Sequence, residues 1–171
     1  MATAEGPNAG TSREDWCTPR IVVDRLLAFA GSIALDPCSN PVSLVPATRR
    51  VIAPEDGLAV DWHAAADGGL VYVNPPFGRK RTGLWLGKAA DEAERGAEIV
   101  VLIPARTDTR AWQRHAPRAA AICFWAGRMR FLGAKNGAPF PSALLYFGRR
   151  PGLFAHVFGA HGIVYHRPLA G

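Results

Sequence analysis

Leu70-Val71-Tyr72-Val73-Asn74-Pro75-Pro76-Phe77 is the stretch that decides the fold. Four β-branched or bulky apolar residues predict a buried strand, and the strand is stopped by an asparagine and two prolines. Pro75 restricts Asn74 to extended conformations, and neither proline donates a backbone N–H. Asn74 is therefore presented in a stiff geometry at a strand end. Asn and Pro are also ordinary turn residues, so the tetrapeptide takes its meaning from the apolar run before it.

Working outward, Ser32 to Leu35 reads as the first buried strand, ending at Asp36-Pro37-Cys38-Ser39-Asn40. Before it, Thr18-Pro19 opens a helix over 21–31, with Thr18 as N-cap and Gly31 as its stop. Val51-Ile52 is a short second strand. Past the corner, Gly78-Arg79-Lys80-Arg81-Thr82-Gly83 reads as a mobile basic loop, and 84–96 as an amphipathic helix. Glu98 to Pro104 is another buried strand, a helix follows from Thr109 to His115, and residues 121–125 and 142–147 are the last pair of strands. The tail adds a short helix and an edge strand over 162–165. Strands alternating with helices predict a parallel sheet of α/β class. Residues 1–14, small and polar, read as a disordered leader, and 15–171 as a single domain.

A chain of 171 residues, 49% hydrophobic and 20% charged, reads as a globular domain with a full layered core. The net charge of +6 favours an anionic partner such as nucleic acid. Cys17, Cys38 and Cys123 are widely spaced, with no zinc-type pairing, so no metal is expected and reduced thiols in a cytoplasmic setting are the default. No long apolar segment or signal peptide is evident, which argues against a membrane. No Gly-x-Gly-x-x-Gly is present, which argues against a nicotinamide enzyme.

The chemistry that suits the Asn74 corner is methylation of an exocyclic amino group. The lone pair of such a nitrogen is delocalised into the ring and attacks poorly until acceptors draw its hydrogens out of plane. The Asn74 side-chain oxygen and the Pro75 carbonyl are suitable acceptors, Pro76 holds the corner rigid, and Phe77 is placed to stack on a base taken out of the duplex. Amino-group methyltransferases acting on adenine, guanine or a protein glutamine share this tip. Ligands of doubly wound sheets sit beyond the carboxyl ends of the strands, where the Asp36 loop falls. Asp36, with Pro37, Cys38 and Asn40, is thus a candidate for the amino group of S-adenosylmethionine, against the plainer reading of a turn. Trp16, Thr18 and Pro19 read either as a helix start or as a cofactor edge, and Asp56 as a cofactor contact or a solvated acid. Cys38 follows a proline as the nucleophile of cytosine methyltransferases does, but it lies on the cofactor loop rather than the substrate strand. Arg79, Lys80 and Arg81 suit phosphate contacts beside the corner. Arg106, Arg128 and Arg130 are further candidate DNA contacts. The long loop 127–141 is the best candidate to touch the target base.

Six motifs in one order, Leu35-Asp36, Asp56-Gly57-Leu58 with Trp62, Asn74 to Arg79, Leu102 to Thr109, Gly127 to Phe131 and Ala138 to Ala143, together with Trp16-Cys17-Thr18-Pro19, resemble the phage-type DNA N6-adenine methyltransferase family, Dam-like in activity. The resemblance runs from Trp16 to about Phe147. It implies a Rossmann-like S-adenosylmethionine-dependent methyltransferase fold, with a mostly parallel seven-stranded sheet and an antiparallel C-terminal hairpin. It implies direct methyl transfer to adenine N6 of DNA, with Asn74 to Phe77 catalytic and the Thr18 and Asp36 regions at the cofactor. Two features depart from the pattern: Asp36 to Asn40 stands where most methyltransferases have a glycine-rich loop, and there is no room for a separate target-recognition domain. The rival readings are an acceptor in RNA or a protein glutamine, and a non-catalytic nucleic-acid-binding phage accessory protein.

Overall fold

The computed structural model describes residues 16–166, without the side chains of Arg79 and Lys80. The expected leader over 1–14 lies outside the described residues. The elements run α1 (Arg20–Ala30), β1 (Ile33–Asp36), β2 (Ala47–Arg50), α2 (Trp62–Ala66), β3 (Leu70–Val73), α3 (Arg79–Glu94), β4 (Glu98–Pro104), α4 (Arg110–His115), β5 (Ala121–Trp125), β6 (Ser142–Phe147), α5 (Pro151–Phe158) and β7 (Gly162–His166). The strands form one seven-stranded sheet in the order β2-β1-β3-β4-β6-β5-β7.

Alternation along the central strands splits the core into two layers. Ile99, Val101 and Ile103 of β4 pack with Trp62 of α2, Trp85, Leu86 and Ala89 of α3 and Trp112 of α4. Val100 and Leu102 face the other way, toward Val22, Leu26 and Phe29 of α1 and Phe154 and Phe158 of α5. Both faces are covered, which is why β3 and β4 read as unbroken apolar runs. At about 25 cal/mol per Å² of apolar surface removed from water, two such layers supply the main stabilisation of the chain.

The expectation of a mostly parallel sheet is not met. β1, β2, β3 and β4 are joined by parallel ladders. The remaining ladders, β4 with β6, β5 with β6 and β5 with β7, are antiparallel, and β4 with β6 is the longest of all. The cause is topological. β6 returns from the loop after β5 and inserts between β4 and β5 rather than adding beyond them. Hydrophobic pattern reports that a strand is buried on both faces and is silent about which neighbour it takes.

Three local expectations are also corrected. The second strand is the polar Ala47–Arg50, not Val51-Ile52; it lies at the sheet edge, where half-exposed residues suffice, while Val51 is buried in the following turn. The basic segment after Phe77 is not a loop, because Gly78 is extended as the N-cap and α3 begins at Arg79, with the Thr82 N–H donating to the Gly78 carbonyl. Gly83 and Gly87 are tolerated inside this helix because α4 crosses there: a Cβ would come within 3.2 Å of Ala111 Cβ at the first and of the His115 ring at the second. Thr18 does not cap α1, whose N-cap is Pro19, without a side-chain bond. Its hydroxyl turns to the sheet instead.

Candidate active site

Asn74 leaves β3 half-buried, with both ends of its side-chain amide in defined surroundings. Its Nδ2 donates to the Trp16 carbonyl at 2.6 Å and to Thr18 Oγ1 at 3.2 Å. Its Oδ1 is buried and has no hydrogen-bond partner among the described residues. A buried amide oxygen without a donor costs free energy, of the order of 1–3 kcal/mol, and marks a place where a ligand's N–H belongs. The corner beyond it is held from below, the Gly78 N–H returning to the Pro76 carbonyl at 3.0 Å.

The corner opens onto a cavity of about 410 Å³ at the carboxyl ends of β1 and β3. The chain leaves β1 toward β2 on one side and returns to β3 on the other, so this is the point where strand order switches and a crevice must form. Asn74, Pro75, Pro76 and Phe77 form one wall. Trp16 and Thr18 come from the segment before α1. Asp36, Pro37, Cys38 and Asn40 come from the turn after β1, Asp56 from the turn before α2, and Arg81 from the first turn of α3. Twelve sequence candidates thus meet around one space, although they span the chain from Trp16 to Arg81.

The Asp36 turn is stitched in place. The Val51 N–H donates to the Asp36 carbonyl, and the Ser39 N–H to the Val51 carbonyl, both at 2.9 Å. Asp36 Oδ1 accepts the Cys38 N–H at 3.2 Å, and Arg50 Nε reaches Ser39 Oγ at 2.9 Å. Only 3% exposed, the Asp36 carboxyl is raised from 3.8 to about 6 by burial, with Ser39, Cys38 and Arg50 opposing the rise. It is ionised at neutral pH but held at a cost, as expected of a buried carboxylate whose neighbouring Arg50 forms no ion pair with it. Cys38 is pushed well above its ordinary range by burial and by Asp36, so it stays a thiol. A nucleophilic role is thereby disfavoured on chemical grounds.

Asp56 caps its own turn, accepting the Leu58 N–H at 2.9 Å. The next residue must be glycine: a Cβ on Gly57 would lie 1.7 Å from the Pro37 carbonyl oxygen. The Gly57 carbonyl is in turn fixed by the Trp62 indole at 2.8 Å, and Trp62 stacks on Trp85. Gly57, Trp85, Ser39 and Glu55 line the cavity without having been singled out. Of these, only the Gly57 in Asp56-Gly57-Leu58 carried a sequence signal.

On its other side Phe77 enters an aromatic cluster. Its ring meets Phe131 and Phe140 edge to face, at centroid distances of 5.7 and 5.5 Å, and Trp16 packs against the same two rings. Phe131 and Phe140 belong to the loop after β5, which is tied to the segment before α1 by the Leu132 N–H donating to the Cys17 carbonyl. The long loop is therefore folded against the corner.

Four candidates stand outside the cavity. Pro19 and Arg130 line a shallow surface groove, Arg106 lines a small crevice with Phe77, Thr109 and Trp112, and Arg128 is exposed on the long loop. The side chains of Arg79 and Lys80 lie outside the described residues. Away from the cavity three guanidinium groups are ion-paired: Arg95 with Asp61 and Glu92, Arg118 with Asp91 and Glu94, Arg150 with Glu98. Those of Arg106 and Arg128 meet no carboxylate among the described residues. Arg106 and Arg128 thus carry positive charge that no ion pair among the described residues neutralises.

Residues 8–143 match the family model of DNA N-6-adenine-methyltransferases (Dam), a span that contains every residue lining the cavity. The chain belongs to the Dam family. No curated protein matches it. Membership makes the protein a DNA N6-adenine methyltransferase, and S-adenosylmethionine the methyl donor of its family. Among the described residues of this Dam-family enzyme, no helix is long and apolar enough to cross a membrane.

Proposed function

We propose that the cavity beside Asn74 holds S-adenosylmethionine, and that Asn74 to Phe77 present the amino group of an extruded adenine to it for direct in-line transfer. The observation that carries this reading is the buried, unpartnered Oδ1 of Asn74 at the cavity wall. Strand order around β1 and β3 supports a Rossmann-like methyltransferase fold of this class. A volume of about 410 Å³ falls in the range of small-molecule sites. The donor set also fits the cofactor: Asp36 is a buried carboxylate without an ion-pair partner among the described residues, suited to an α-ammonium group, and Asp56 is an exposed acid suited to hydroxyls.

When bound, the cofactor would supply a sulfonium methyl to the adenine nitrogen and leave as the neutral thioether, the amine giving up a proton to water. The protein's part is orientation. Asn74 Oδ1 accepts one amino hydrogen and the Pro75 carbonyl the other, which turns the nitrogen lone pair out of the ring. Pro76 keeps the two acceptors in fixed relation. Phe77, braced by Phe131 and Phe140, offers a ring to the base. Arg81, Arg106, Arg128 and Arg130, with Arg79 and Lys80, bind phosphates, and the absence of a carboxylate partner for Arg106 and Arg128 among the described residues supports this for those two. The enzyme acts in the cytoplasm, where its DNA is found. No observation favours RNA, a protein glutamine or a non-catalytic role.

Asn74→Ala tests the reading. Removing a preorganised acceptor costs about 10²–10³ in kcat. Incorporation of labelled methyl into DNA falls by that factor or more, while calorimetric titration still shows S-adenosylmethionine binding. Methylation of DNA by the variant at the wild-type rate would refute it.

A further inference from the structure

We propose that Thr18 and Tyr72 are positioning residues for methyl transfer: with the Trp16 carbonyl, their hydroxyl pair fixes which end of the Asn74 amide faces the cavity. This rests on the reading of Asn74 Oδ1 as the acceptor for the adenine amine. An asparagine amide has two orientations of almost equal shape and opposite hydrogen-bonding sense. In one, Oδ1 faces the amine and activates it. In the other, an NH₂ faces an NH₂, and nothing draws the nitrogen lone pair from the ring.

Two groups behind the side chain bear on the choice: a carbonyl that can only accept, and a hydroxyl that accepts from the amide in the orientation observed. The Trp16 carbonyl, 2.6 Å from Nδ2, can only accept. Were the amide turned over, Oδ1 would stand there, acceptor against acceptor, in a buried setting. Thr18 Oγ1, 3.2 Å from Nδ2, takes up the same NH₂ group, and it is itself held by Tyr72 Oη at 2.9 Å. Thr18 is 2% exposed and Tyr72 fully buried, so these hydroxyls have each other rather than water. Tyr72 lies two residues before Asn74 on β3, hence on the same face of the sheet. Its phenol is raised well above its ordinary range, chiefly by burial, and remains a neutral O–H.

The Trp16 carbonyl is in turn anchored. The Trp16 ring packs between Phe131 and Phe140, and the neighbouring Cys17 carbonyl accepts the Leu132 N–H at 3.0 Å. The segment before α1 thus acts as a template for the amide. Thr18 also lines the cavity, so the rival account is that it touches the cofactor directly. The two accounts differ in which kinetic constant moves.

The test compares wild type with Thr18→Val, Thr18→Ser and Tyr72→Phe, measuring kcat and KM for DNA at saturating S-adenosylmethionine, and cofactor Kd by calorimetry. Thr18→Val is expected to lower kcat about tenfold, the equivalent of one net hydrogen bond, with KM and Kd unchanged. Thr18→Ser is expected to restore kcat, and Tyr72→Phe to lower it by a smaller factor. Asn74→Asp adds an independent signature. Its second carboxylate oxygen must face the Trp16 carbonyl and fits only when protonated, so its activity relative to wild type is expected to rise as pH falls. The titratable or charged groups around it, Cys17, Asp36, Cys38, Asp56, Glu55, Tyr72 and Arg81, are present in both proteins, so the wild-type profile reports their own titration and the ratio reports the added carboxylate with its coupling to Asp36. A Thr18→Val enzyme with wild-type kcat, a loss confined to cofactor Kd, a Thr18→Ser enzyme no better than Thr18→Val, or an Asn74→Asp ratio flat with pH would each overturn the proposal. A wild-type protein that methylates no adenine in DNA would instead overturn the functional reading beneath it.

Discussion

Asp36 makes the stability of the cofactor-free protein depend on pH in the direction opposite to that of a salt-bridged carboxylate. Its folded pKa is about 6, against an ordinary 3.8, because burial penalises the charged form more than Ser39, Cys38 and Arg50 favour it. Between those two values the folded protein retains a proton that the unfolded chain has released. The unfolding free energy therefore falls as pH rises through that window. Below 3.8 the group is protonated in both states and costs nothing; above 6 the full cost of the buried anion is present. A change from 3.8 to about 6 corresponds to about 3 kcal/mol. Asp36→Asn removes the titration while leaving an acceptor for the Cys38 N–H. Urea unfolding of both proteins at intervals from pH 4 to pH 7.5, without cofactor, is the assay. The stability of Asp36→Asn relative to wild type is expected to improve by about 2 kcal/mol from pH 4 to pH 7.5, because titrating groups common to both proteins cancel and part of the cost is already present at pH 4. Over the same range wild-type affinity for S-adenosylmethionine strengthens as the carboxylate forms, and the asparagine variant binds weakly throughout. A stability difference that does not change with pH would refute the reasoning.

Gly57→Ala places a methyl group 1.7 Å from the Pro37 carbonyl oxygen, well inside the 3.0 Å limit of real Cβ contacts. The Asp56 turn must shift and strain the Trp62 bond, at a cost of about 1–3 kcal/mol; thermal denaturation should show Tm lower by about 2–10 °C, and an unchanged Tm would count against the packing described. Arg106→Ala and Arg128→Ala each remove a cation free of carboxylate partners; fluorescence anisotropy with duplex DNA across a salt series should show the slope of log K against log salt reduced by about 0.9 per residue, and an unaltered slope would remove them from the DNA face.

Much of this site is readable in one dimension because its chemistry is packed into short runs. Leu70 to Phe77 carries its own geometry: β-branched residues extend the chain, and the fixed φ of two prolines makes the corner rigid whatever surrounds it. The turn after β1 announces itself in the same way, since Asp, Pro, Ser and Asn satisfy their own backbone groups. Where the expectations failed, the deciding partner was distant in the chain. α2 was missed because its five residues are too few to show a period, and it exists because Asp61 caps it and Trp62 is buried against Trp85. The start of α3 was misplaced because a Gly-Arg-Lys-Arg-Thr-Gly run has poor local helix propensity. That helix holds because its buried face packs on β4 and its glycines admit α4.

The sequence by itself determined that the chain alternates strands and helices, that a strand ends in a stiff asparagine corner, and that an acidic turn follows the first strand. Local steric rules enforce each of these within a few residues. The tertiary structure alone decided that β6 enters between β4 and β5, that twelve candidates from Trp16 to Arg81 share one cavity, and that Thr18 faces Asn74 and Tyr72 rather than capping a helix. Strand order and hydrogen-bond partnership are settled by which surfaces bury together, and residues more than fifty positions apart carry no local mark of that choice.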